Sequence, residues 1–242
     1  MKRTCTIAAA LAGTLTAAAI ADIPANVRVI HASPDAPNVD VFANGGLAFS
    51  NLAFGQATDY AALPGGDYNF QVTPFGQMNP VVIDADASLM GGTDYSIVAV
   101  DTLANIAPLV LVDDNTLDPD QARVRFVHAS PDAPAVDIAV AGGGPVLFSD
   151  ISFTNVGDYL SLDAGTYDLE VRVAGTDNVV LDLAGITLDA GTVYSVFAMG
   201  FAGGMEPGLQ AVIFQDAVIP APAALSLLAV AGLFGTRRRR VS

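Results

Sequence analysis

Val27-Arg-Val-Ile-His-Ala-Ser-Pro-Asp-Ala-Pro37 returns as Val124-Arg-Phe-Val-His-Ala-Ser-Pro-Asp-Ala-Pro134, 97 residues later, with nine of the eleven positions identical. The two histidines of the chain, His31 and His128, fall at the same place in the two copies. A repeat on this scale makes each copy one folding unit, so the 242 residues divide into two domains of ordinary size. The agreement runs on: Phe49-Ser50 matches Phe148-Ser149, Asp59-Tyr60 matches Asp158-Tyr159, and Gly66-Asp-Tyr68 matches Gly165-Thr-Tyr167. Gly92-Thr-Asp-Tyr-Ser96 likewise matches Gly191-Thr-Val-Tyr-Ser195.

From Asn26 onward, short runs carrying Val, Ile, Phe and Tyr alternate with polar residues and are broken by Gly, Pro, Asn or Asp about every ten positions. The pattern predicts strands near 26–31, 38–43, 46–53, 57–62, 66–73, 80–86, 93–100 and 107–112. The second copy predicts them near 123–128, 135–141, 145–152, 156–161, 165–174, 178–185, 192–200 and 208–215. Eight strands per copy without intervening helices make an all-β chain of two tandem sandwiches, immunoglobulin-like or transthyretin-like. The expected division is a signal helix over 1–21, a first sandwich over 22–113, an acidic linker over 114–121 and a second sandwich over 122–217. A hydrophobic C-terminal helix within 218–242 completes it.

Period-two alternation puts Val27, Val29 and His31 on one face of the first strand and Arg28 on the other, and Val124, Phe126 and His128 opposite Arg125 in the second copy. Each histidine then reaches the sandwich edge from inside, where its two ring nitrogens can lock the turn that follows. Ser33-Pro34-Asp35-Ala36, and its counterpart around Ser130 and Asp132, has the residues of a type I turn. Asp40 and Asp137 follow in Val-Asp pairs, and Arg28 and Arg125 are expected to pair with them across neighbouring strands from outward positions.

The types His31, Ser33 and Asp35 match a hydrolytic triad, but a triad needs three side chains converging from separated segments beside an oxyanion hole. No Gly-x-Ser-x-Gly elbow occurs. One histidine per repeat also makes a poor transition-metal site. The motif therefore reads as structural, and no enzymatic role, catalytic residue or cofactor is expected.

Charge narrows the partners. All 25 acidic residues lie between Asp22 and Asp216, while Lys2, Arg3 and Arg237, Arg238, Arg239 and Arg240 sit at the ends, leaving four arginines in between. A surface this acidic repels nucleic acid and anionic lipid. Asp113, Asp114, Asn115, Asp118 and Asp120 crowd the linker and are candidate calcium ligands. Leu117, Asp118 and Val124 exclude an EF-hand register. A solvated joint is the plainer reading; a calcium- or glycan-binding module is the alternative function, and six Tyr with no Trp count against a stacking glycan site.

The ends speak of export. Met1-Lys2-Arg3, the apolar run Cys5–Ile20 and the site Ala19-Ile20-Ala21 form a secretory leader, to be cut by signal peptidase between Ala21 and Asp22. Ile219-Pro220-Ala221-Pro222, the apolar stretch Ala223–Gly235 and the arginines 237–240 resemble the PEP-CTERM sorting signal of Gram-negative bacteria, with Ala221 where glutamate usually stands. The resemblance implies an exosortase-type processing enzyme, an inner-membrane intermediate inserted through the C-terminal helix, and delivery to the surface or outside.

The two His-Ala-Ser-Pro-Asp-Ala-Pro runs, with Val39-Asp40 and Val136-Asp137 after them, closely resemble a bacterial secreted domain family of unknown function, over roughly residues 26–216. That resemblance implies an extracytoplasmic β-sandwich, often in tandem, with no established activity. The expected role is a non-enzymatic structural or adhesive protein whose partner is an envelope or matrix component.

Overall fold

The structure, a computed structural model, describes residues 23–220. The leader around Ala21 and Asp22, and the tail with Pro222 and Arg237 to Arg240, lie outside the described residues.

The first repeat contains β1 (Ala25–His31), β2 (Val39–Ala43), β3 (Gly46–Leu52), β4 (Ala61–Leu63), β5 (Gly66–Pro74), β6 (Ile83–Leu89), β7 (Asp94–Val100) and β8 (Ala107–Asp113). The second contains β9 (Gln121–His128), β10 (Val136–Val140), β11 (Val146–Ile151), β12 (Leu160–Asp163), β13 (Gly165–Val173), β14 (Val179–Leu188), β15 (Thr192–Met199) and β16 (Gln210–Val218). All sixteen expected strands are present, and no helix occurs among the described residues. The fourth strand of each copy is shorter and later than its pattern suggested. Ala57 and Val156 make only single bridges, to Ile30 and Val127, before regular pairing starts at Ala61 and Leu160.

Each repeat splits into two four-stranded sheets, β4-β1-β7-β8 over β3-β2-β5-β6, and β12-β9-β15-β16 over β11-β10-β13-β14. The first strand runs parallel to the seventh in both copies, and all other named-strand pairs are antiparallel. One core fills each sandwich, built on Val27, Val29, Val41, Phe70 and Ile97 in the first and on Phe126, Ile138, Phe148, Val171 and Val196 in the second.

A third apolar core belongs to neither sandwich. Ile30, Val98, Val100 and Leu111 of the first copy pack with Val127, Phe197 and Met199 of the second, as the outer faces of β4-β1-β7-β8 and β12-β9-β15-β16 meet. The described residues form a stack of four sheets, and the two inner ones are covered on both sides. This explains why β7 from Tyr95 to Val100 and all of β15 are buried without alternation, the pattern of a strand that faces two cores. The outer-sheet edge strand β6 alternates instead, with Asp84, Asp86 and Ser88 turned to solvent.

Candidate functional site

The repeated run folds into one loop per sandwich. The main chain of His31 ends β1 by pairing with the loop after β3: its N–H donates to Gln56 O at 3.0 Å and its carbonyl accepts from Gly55 N at 2.8 Å. His128 does the same with Asn155 and Thr154. The imidazoles are fully buried and stand edge-on to Phe54 and Phe153, with ring centres 6.4 Å away in both copies. His31 Nε2 donates to Pro37 O at 3.0 Å, and its Nδ1 accepts the Ser33 N–H at 3.3 Å, so one ring spans the turn. His128 Nε2 repeats the first bond to Pro134 O at 3.0 Å, while its Nδ1 has no partner among the described residues. Burial lowers the pKa of both rings against the pull of those carbonyls, which favours the neutral imidazole.

The other motif residues, the Ser33 hydroxyl excepted, are also spent on the loops. Asp35 accepts the Leu103 N–H at 2.6 Å, and Asp132 accepts Ala202 N at 2.7 Å and Gly203 N at 2.8 Å, so each ties its loop to the one after the seventh strand. Ser130 donates to Gly200 O at 2.6 Å, whereas the buried Ser33 hydroxyl has no partner among the described residues. The Ser33 hydroxyl makes no bond to His31 or Asp35, so the three do not form a triad line.

The expected pairing of Arg28 with Asp40, and of Arg125 with Asp137, is wrong. β1 and β2 lie in opposite sheets, and the side chains leave on opposite outer faces of the sandwich. Asp40 sits at a register shift, where Oδ1 accepts from Ser50 Oγ at 2.7 Å and Asn51 N at 2.9 Å, and Oδ2 from Gly76 N at 2.8 Å. Burial works to raise its pKa, but these donors outweigh it and hold the carboxyl below the usual range. Asp137 holds Asp150 N and Gly175 N in the same way. Asn51 and Asp150 both have positive φ, 58° and 54°, so the aspartate anchors a strained corner in each copy.

Arg28 and Arg125 are not outward at all, with 3% and 2% of their surface exposed. They face each other's repeat. Arg28 Nε donates to Ser96 Oγ at 2.7 Å and its Nη2 to Asp216 Oδ1 at 2.6 Å. Ser96 donates to Asp113 Oδ2 at 2.7 Å. Asp113 accepts from Arg125 Nη2, Arg125 Nε donates to Ser195 Oγ at 2.7 Å, and Ser195 donates to Asp216 Oδ2. Six side chains thus close a ring, Arg28–Ser96–Asp113–Arg125–Ser195–Asp216, in which two arginines balance two carboxylates. Each arginine bonds the serine of its own sandwich and the aspartate of the other, the reciprocal contact of a two-fold interface.

Tyr60 and Tyr159 cap the ring. The guanidinium of Arg28 lies 4.8 Å from the Tyr60 ring centre and that of Arg125 lies 5.0 Å from Tyr159. Tyr60 donates to Asp113 at 2.5 Å, and burial together with the two ring aspartates pushes the Tyr159 hydroxyl up to about 12 against the pull of Arg125. Burial also raises the Asp216 pKa, although Arg28, Ser195 and Arg125 oppose it.

The linker is a fastened strap rather than a solvated joint. Asp113 belongs to the ring, and Asp114 binds Arg123 Nη2 at 2.6 Å, which with a Thr116 contact depresses its pKa strongly. Arg123 also donates to Thr116 O at 2.7 Å, and Asp118 O accepts Gly191 N at 2.9 Å. Asn115 bonds Asp94 at 2.7 Å, Asp118 Oδ1 accepts the Asp120 N–H at 3.0 Å, and Asp120 is exposed. The five candidate calcium ligands therefore do not converge on one point. No group of three His, Cys, Asp or Glu side chains is placed to hold a metal ion among the described residues.

Sequence reasoning missed Asp216 and Ser195 as partners and misassigned Asp113. The signal was available: Ser96 and Ser195 are equivalent, and the last strand of each copy carries an aspartate at or near its end. A search of the curated proteins found no match. The chain matches one family over residues 25–139 and again over 140–231, which together take in both sandwiches. It therefore belongs to the family described as Domain of unknown function (DUF4397).

Proposed function

We propose that this chain is a non-enzymatic structural or adhesive protein of the cell envelope or extracellular matrix, exported by its leader and sorted through its C-terminal tail. The observation that carries the reading is the use to which the repeated motif is put. His31, Asp35, Asp40, His128, Ser130, Asp132 and Asp137 all bond their own loops, and the repeated arginines lock one sandwich to the other. A chain whose recurrent polar groups are consumed in this way is built for rigidity. Of the two sandwich types, the transthyretin-like one fits better, because an immunoglobulin sandwich keeps its first two strands in one sheet and here β1 and β2 are in opposite sheets.

The test combines fractionation with loss of function. Surface or released protein should begin near Asp22 and lack the arginine tail, and a deletion strain should lose adhesion or matrix integrity that a His31→Ala, Ser33→Ala variant restores wherever it folds. Hydrolytic turnover by the wild type that this variant abolishes would overturn the reading.

A further inference from the structure

The two repeats fill their cores unequally. Strand pairing makes Val29 equivalent to Phe126, Ala85 to Leu183 and Ala87 to Ile186. At all three positions the first sandwich carries the smaller side chain, and Phe70 in place of Leu169 restores only part of the lost volume. The consequence is a cavity of about 80 Å³ between the sheets of the first sandwich, lined by Val29, Ala85, Ala87, Ile97, Pro108 and Val110. The corresponding core of the second sandwich keeps about 20 Å³. The mouth opens between the edge strands β6 and β8, where Ala85 and Ala87 are half-buried and Val110 is 46% exposed. Asp86 stands at the rim, and its carboxylate accepts from Asn69 Nδ2 at 2.9 Å.

We propose that this cavity is a binding site for the end of an uncharged alkyl chain. Its lining offers dispersion contacts and almost no hydrogen-bonding group, so water gains little there and an aliphatic group gains much. An apolar cavity of about 150 Å³ takes up benzene; this one, at about 80 Å³, has room for the last few carbons of an unbranched chain. The Asp86 carboxylate at the rim repels an anionic headgroup, which selects a neutral amphiphile over a fatty acid. The chain end can come from a free long-chain alcohol or ester, or from a neutral lipid in a bilayer.

The test uses the full chain, with decanol, decanoate and phosphatidylcholine vesicles as probes. Because the apolar ends of the chain also attract such probes, the wild type is compared with Ala85→Leu/Ala87→Ile, which copies the filled core of the second repeat, and with Ala87→Ile alone. Decanol should bind the wild type saturably at one site, shift methyl resonances of Ala85, Ala87 and Val110, and bind at least tenfold more weakly to both variants. Decanoate should bind at least tenfold more weakly than decanol. Vesicle binding that the variants lose identifies a lipid source, and decanol binding without it identifies a free chain; both support the site. Equal decanol binding by wild type and variants, or shifts confined to other residues, would overturn it.

Discussion

Replacing Arg28 by alanine should be far more damaging than its place on an exposed-looking strand suggests. Arg28 supplies two charge-assisted hydrogen bonds, to Ser96 and Asp216, and stacks its guanidinium on Tyr60. Without it, the wholly buried Asp216 carboxylate keeps the Ser195 hydroxyl and the more distant Arg125 guanidinium, 3.9 Å away. Breaking a buried pair by removing one partner costs about 3–5 kcal/mol, because the remaining charge is left uncompensated. For a fold of about 200 residues this lowers the melting temperature by roughly 6–20 °C. Urea unfolding followed by circular dichroism measures it, with Asp67→Ala as control, since the exposed Asp67 side chain bonds Ser88 at the surface; that change should stay within about 0.5 kcal/mol. Removing both members, in Arg28→Met/Asp216→Leu, should recover most of the loss. A loss below about 1 kcal/mol for Arg28→Ala would show that the carboxylate finds water and that the ring is not buried in solution.

His31→Ala should lower stability by about 1–3 kcal/mol in urea melts, and His128→Ala by less, since only His31 has partners on both ring nitrogens. Acid should act through the same residues: both folded-state pKa values are lowered, so the unfolded chain takes up protons first, and the stability present above about pH 6.5 is lost as pH falls through the window below it. A His31→Phe/His128→Phe variant should flatten that slope below about pH 6.5; Asp216, whose raised pKa acts with the opposite sign, is present in both proteins and cancels in the comparison. Asp40→Ala should cost about 1–3 kcal/mol through three stranded donors, and amide exchange at Asn51 and Gly76 should quicken with it.

Strand order along the chain was legible because turn residues and β-branched runs punctuate it at short intervals, and the repeat cross-checks every element. The inward face of β1 was also legible, since Val27 and Val29 alternate with Arg28. The destination of the other face was not. Alternation separates two sides of a strand but does not say whether the second side meets water or another sheet, and the arginine favoured water. The correcting signal lies in β15, where Val193 to Met199 is apolar on both sides except for Ser195, as only a doubly covered strand would be. The pairing of Arg28 with Asp216 joins residues 188 positions apart, and no local pattern could specify it. Asp40 was recognised as a repeated position, but its three donors come from a register shift and a hairpin turn that exist only once β2, β3 and β5 have paired.

Small-angle X-ray scattering of residues 23–220 in monomeric solution tests most directly whether the two sandwiches dock face to face. Four sheets about 10 Å apart put the sandwich centres roughly 20 Å from each other, and a compact body of about 200 residues has a radius of gyration of about 16–17 Å. Docking through the ring predicts that value, unchanged between low and moderate salt. A radius above about 20 Å, the value for two domains strung end to end on a loose linker, would contradict it.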